Sequence, residues 1–215
     1  WRNCIRIGGI DRMIEFSAET VQRVEHILAG VPNGAERALS NAMNKGLSKV
    51  KSEAIKKVRE VYTIQSRAAS EATKTRIKKA STGDLAGYIS FAGYKIPLYK
   101  FRVTPKVPGT GKTVFANVKK GSGGVLEESF VAQMKSGHLG VFERTGEQGI
   151  QSRMGKTKSG TGNQHTEKLE EKMGLAMGQM IGNQSVLIQL EQETQELINN
   201  HLEHEIDRIL SGYGG

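Results

Sequence analysis

Between Gly34 and Val61, small and medium apolar residues recur at spacings of three and four. They are Ala35, Ala38, Leu39, Ala42, Met43, Leu47, Val50, Ala54, Val58 and Val61. That period puts them on one stripe of a helix of about eight turns. The stripe is narrow and rich in alanine, and the rest of the surface is basic. A narrow stripe must be covered to be stable, and alanine lets whatever covers it come very close. Asn33 stands at the cap position, and "YTI" at 62–64 breaks the run.

A second long amphipathic helix closes the chain, in "SVLIQLEQETQELINNHLEHEIDRILSGYGG". Its stripe is Leu187, Leu190, Leu197, Ile198, Leu202, Ile206, Ile209 and Leu210, and Gly212 stops it. The two ends of the chain carry opposite charge. Residues 45–79 hold eleven Lys/Arg against three Glu, a net +8. Residues 167–210 hold nine Glu/Asp against three Lys/Arg, a net −6. Either these are two solvated faces or they meet, within a subunit or between neighbours.

A short helix is predicted over 17–30, with Ser17 as its N-cap and Val21, Val24, Ile27 and Leu28 on one face. A third, strongly basic helix is predicted over 66–80. From Leu85 the period shifts towards two. "LAGYISFAG", "KIPLYKFRVTP" and "KTVFANVKK" read as strands, with Pro97 demoting part of the second, and "GSGG" (121–124) reads as a turn. "FVAQM" and "LGVFER" flank "KSGH" as strand, turn, strand. The expected fold is α+β: long N-terminal helices, a small antiparallel sheet with a hairpin, and a long C-terminal helix. The expected regions are an extension (1–12), basic helices (13–84), antiparallel strands (85–144), a flexible loop (145–166) and a helical end (167–215). Residues 13–215 read as one structural unit, with 167–182 a short helix or an irregular segment.

No run approaches the roughly 18 apolar residues of a membrane span. One cysteine, Cys4, excludes an internal disulfide framework or a Cys-rich zinc site. The formal net charge of +9 favours polyanions or an acidic protein partner.

Several motifs suggest chemistry and fall short of it. "PGTGKT" (108–113) resembles a phosphate-binding loop, but Lys106 stands where its first glycine belongs and a strand-like segment follows. His201 and His204 could share a helix face, with no clear third ligand. His138 lies near Ser129 and Ser136 but lacks a nucleophile motif, and turn chemistry accounts for Ser136, Gly137 and His138. The basic segment could grip nucleic-acid phosphates without reading sequence. Lys49, Lys56, Lys78 and Lys79 are the candidate DNA-facing residues.

Four segments together resemble one family. They are the basic helix running into "VYTI" (61–64), "YKIPLYKF" (94–101), "ESFVAQMKSGHLGVFER" (128–144), and "MGQMIGN" (177–183) leading into the last helix. The chain resembles the prophage minor tail protein Z family, the tail-completion components of long-tailed phages. The likeness runs from about Met13 to the C-terminus. It departs at "GLAMGQ", where relatives show Gly-Pro-Ser and a following proline, and in a longer Lys/Gly-rich loop at 145–165. The resemblance implies a virion structural protein at the head-proximal end of the tail, needed for head–tail joining, without enzyme activity or cofactor. It also implies a homo-oligomeric ring around the DNA path, read here as sixfold, contacting other tail and neck proteins. Such a protein would pass through the host cytoplasm during assembly. Candidate subunit-interface residues are His138, Glu143 and Arg144 at the hairpin and Glu191, Glu193 and Glu196 on the last helix. The alternative is a non-specific basic DNA-binding protein of the host cytoplasm.

Overall fold

The computed structural model describes residues 5–7, 10–12, 16–148 and 167–212. The fold is α+β, as the periodicities predict. A strand pair, β1 (Ile5–Ile7) and β2 (Ile10–Arg12), precedes α1 (Ala18–Ile27) and α2 (Gly34–Val61). The chain divides into two compact units rather than one. The first comprises residues 1–62, 66–94 and 176–215, and the second residues 63–65 and 95–175.

In the first unit α2 has the predicted bounds. Nine of its ten predicted stripe residues are buried, and Val61 is half-buried at the end. Its cover is α5 (Gln184–Leu210) of the same chain. Asn41 and Lys45 meet Glu205, Gly46 meets Ile198, and Lys57 meets Glu193, so the two helices run antiparallel. Alanines at 38, 42 and 54 and the glycine at 46 allow this close approach. At one end, Val24 of α1 and Leu28 at its C-cap join Leu39, Leu202, Ile206 and Ile209 in a common core. Each large apolar side chain buried there contributes about 1.5–3 kcal/mol. Ser17 caps α1 as expected, its Oγ accepting from the Thr20 N–H at 3.1 Å. Asn33 does not cap α2 through its side chain. It takes a left-handed backbone (φ 52°), and its carbonyl accepts from the Arg37 N–H.

The predicted basic helix over 66–80 is wrong in its second half. Helix α3 spans only Ser66–Ala72, and β3 (Lys74–Lys78) follows, so the region 13–84 is not all helical. Lysine and arginine favour a helix in isolation, but Thr75 and Ile77 set a period of two. They pair with Phe91 and Ile89 of β4 (Tyr88–Ala92), both buried. Asn44 of α2 holds the end of this ribbon: its side chain accepts from the Ala80 N–H and donates to the Ala80 carbonyl.

The second unit begins with β5 (Lys95–Pro97), where Pro97 ends the strand and a 3-10 turn follows over Leu98–Lys100. β6 (Arg102–Thr104), β7 (Val114–Lys119) and β8 (Ser122–Leu126) form an antiparallel meander. Only Lys120 and Gly121 separate β7 from β8, so most of "GSGG" is strand rather than turn; pairing with β7 overrides the poor strand propensity of its glycines. β9 (Ser129–Gln133), β10 (Leu139–Gln148) and β11 (Glu167–Glu171) form a second antiparallel sheet, and β12 (Met173–Ala176) pairs with β5. Two expectations change here. Residues 145–148 continue β10 instead of opening a loop, and the rest of the 145–166 loop lies outside the described residues. Residues 167–176 are strands, so the expected helical end begins only at α4 (Met177–Ile181). "EKLEE" has helix-favouring composition, and it is strand because β10 pairs with it. Among the described residues no helix is long and apolar enough to cross a membrane.

Candidate interaction surfaces

The hairpin at 129–148 forms as predicted, in register Leu139↔Gln133 to Glu143↔Ser129. Its turn is closed by the Met134 N–H donating to the His138 carbonyl and the Gly137 N–H donating to the Met134 carbonyl, both at 2.8 Å. Gly137 takes φ +85°, a left-handed conformation that an L side chain rarely adopts. His138 follows at the mouth of β10. Its Nε2 lies 2.8 Å from Glu171 Oε1, and its ring meets Phe142 edge-on at 6.3 Å. Glu143 pairs with Lys172, and the Arg144 guanidinium lies 5.6 Å from the Phe130 ring centroid. The backbone of Lys172 links Val141 to Leu98. His138, Glu143 and Arg144 thus tie β10 to β9 or to the β11–β12 segment. The arrangement holds strands together and presents an exposed acid–base edge. Neither Ser129 nor Ser136 is hydrogen-bonded to His138 among the described residues.

On α5 the three candidate glutamates have different surroundings. Glu193 pairs with Lys57 at 2.5 Å within its own chain. The Lys57 pKa is raised, foremost by that bond and further by Glu60, against the opposing effect of burial. Glu191 is half-buried, and Glu196 is exposed. Opposite charges therefore meet inside the subunit at Lys57 and Glu193, which stays partly exposed.

Sequence reasoning missed the most buried charge. Glu205 has a side chain only 1% exposed, paired with Lys45 and with Arg208 at 2.6 Å and accepting from Asn41 at 3.2 Å. Burial pushes its pKa up, but Lys45, Arg208 and Asn41 together hold it below the ordinary glutamate value. The only sequence signal was an acid at a position on the apolar side of α5. His201 is beside it. Burial lowers its pKa, and Lys45, His204 and Lys49 lower it further. Its buried Nε2 has no hydrogen-bond partner among the described residues. His201 and His204 assemble no metal cluster, and none of three or more ligands occurs among the described residues.

The four candidate DNA-facing lysines are exposed and belong to the first unit. Lys56 pairs with Glu53 at 3.3 Å and Lys78 with Asp84 at 2.9 Å. Lys49 and Lys79 have no ion pair among the described residues. Sequence reasoning passed over Lys74 and Arg76, which share the outward side of β3 with Lys78. The "PGTGKT" loop leads into β7, not a helix, and borders an open groove of about 500 Å³ whose other wall carries Glu127 and Glu128. Carboxylates there oppose a phosphate. Comparison with protein-family models, curated proteins and solved structures gave no match.

Proposed function

We propose that the chain is a virion structural subunit, a tail-completion protein acting at the head-proximal end of a phage tail. Copies would form a ring around the DNA path, with six as the expected number, and allow tail and head to join. One observation supports this reading above others. The hairpin that carries the strongest family likeness is built from structural roles: a turn glycine, a histidine holding a neighbouring strand, and a charged rim at Glu143 and Arg144. Marked positions with structural duties fit an assembly protein better than an enzyme. The charged rim, with Glu196, is the surface proposed to meet a neighbouring subunit.

Electron microscopy of particles carrying a labelled chain tests the proposal. Label at a fixed position at the head–tail junction supports it, and a chain that never associates with particles overturns it. The second reading, a non-specific DNA-binding protein of the host cytoplasm, is favoured by Lys49 and Lys79, exposed cations with no ion pair among the described residues. It predicts the second outcome together with salt-sensitive DNA retention.

A further inference from the structure

The β3–β4 ribbon has two unlike faces. Phe91 and Ile89 of β4 are buried; opposite them Thr75 is half-buried and Ile77 is 39% exposed. Lys74, Arg76 and Lys78 point outward, opposite Ala92, Ser90 and Tyr88. A strand rises about 3.4 Å per residue, so alternate residues set the three cations roughly 7 Å apart in a straight row. Opposite the row, Ala92 is exposed, and Ser90 and Tyr88 are half-buried. Asp84 pairs with Lys78, whereas Lys74 and Arg76 have no carboxylate partner among the described residues. Asn44 fixes the end of the ribbon, so the row is held before any ligand arrives.

Tyr94 stands at the far end of this row. It is 80% exposed, the highest exposure among the large apolar and aromatic side chains of the described residues. The Lys74 ammonium lies 5.0 Å from its ring centroid. Burial in the core gives no reason for a tyrosine there. A cation row ending on an open aromatic ring has the two parts a single-stranded nucleic acid needs: charge for the backbone and a surface for an unpaired base.

We propose that the outer face of β3 and β4 binds single-stranded nucleic acid, with phosphates along Lys74, Arg76 and Lys78 and a base stacked on Tyr94. An acidic protein would use the cations and gain little from the ring. A duplex would use the cations alone, since its bases are already stacked. The proposal holds whether the protein acts in a particle or in the cytoplasm, so its test is independent of the tail reading.

The test is fluorescence anisotropy of the full chain with a labelled oligothymidylate and with a duplex of matched length, across a salt series. Single-strand affinity is expected to fall linearly with salt on logarithmic axes. Tyr94→Ala should weaken single-strand binding at least about fivefold and leave the duplex unaffected, while Tyr94→Phe keeps both. Lys74→Gln with Arg76→Gln should weaken both and lower the salt slope by about 1–2, while Arg76→Lys retains binding. The proposal is overturned if the chain does not bind at low ionic strength, or if Tyr94→Ala binds the single strand as well as the parent. It is also overturned if labelled polyglutamate binds as tightly as the oligonucleotide through the same two cations, which would assign the face to an acidic protein.

Discussion

Gly46 of α2 and Ile198 of α5 approach so closely that a Cβ on Gly46 would lie 2.3 Å from Ile198 Cγ1. The two longest helices touch here, and the contact explains a glycine in the middle of a helix that would otherwise favour alanine. Gly46→Ala gains about 1 kcal/mol of helix propensity and loses about 1–3 kcal/mol to overpacking. A net loss of up to about 2 kcal/mol is expected from urea denaturation followed by circular dichroism. Pairing it with Ile198→Ala should cost less than the two single losses added, because the second change makes room for the first.

Glu205 is a buried carboxylate held by Lys45, Arg208 and Asn41. Lys45→Ala removes one counter-charge while Arg208 keeps the other, so a loss of about 1–3 kcal/mol is expected at neutral pH. The folded-state pKa of Glu205 is lowered. The unfolded chain therefore takes up its proton first as pH falls. The stabilisation is present above the ordinary glutamate range and disappears as pH drops through the folded value. A thermal-melt series should show the parent losing stability in that acid range and Glu205→Gln losing less.

His201 gives a separate signature at higher pH. Its folded pKa is lowered, so the unfolded state binds its proton first below about pH 6.5. Stability should fall from there downward. His201→Leu removes both the titration and a buried nitrogen with no hydrogen-bond partner among the described residues. That variant is expected to be more stable than the parent at pH 5 by about 1 kcal/mol and to have a flatter profile between pH 7 and 5.

Glu193 and Glu196 lie three residues apart on one helix, and among the described residues only the first has an ion-pair partner, Lys57. Glu193→Lys places two like charges together on the α2–α5 seam and should lower the melting temperature of the isolated subunit. Glu196→Lys should leave the melting temperature within error. If assembly depends on the acidic face, that variant weakens association at low salt in light scattering.

Two residues where the turn enters β10 should respond differently. A Cβ on Gly140 would meet Glu171 Oε1 at 2.7 Å and the Phe142 ring at 2.8 Å, so Gly140→Ala should cost about 1–3 kcal/mol. His138→Ala removes one half-exposed bond and should cost no more than about 1 kcal/mol. Denaturation midpoints of the two variants provide the comparison. A particle phenotype for His138→Ala with full stability would restore a functional role to the ring.

The legible parts of the fold were those whose pattern repeats. The stripes of α2 and α5 each extend over many turns, and the alternation of β9 and β10 brackets an obvious turn. Short segments whose structure depends on a distant partner were not legible. Lys74–Lys78 looks helical until β4 pairs with it, and "EKLEE" looks helical until β10 does. The same reason hid most of the site. Glu171, the partner of His138, arrives from a different strand. Lys45 and Glu205 lie at opposite ends of the sequence, and nothing local to either marks the buried pair.

The first unit is made from the early and the late parts of the chain, with nearly all of the second unit between them. Its largest interface, α2 on α5, therefore has to wait for the last long helix to be synthesised. Until then the alanine stripe of α2 lacks its main cover, and closing it brings together residues about 150 positions apart, such as Gly46 and Ile198. The order of synthesis makes α5 the element that completes the first unit. A nascent or truncated chain without it would carry an exposed apolar stripe into a crowded cell, where that stripe is a site for chaperone capture or aggregation.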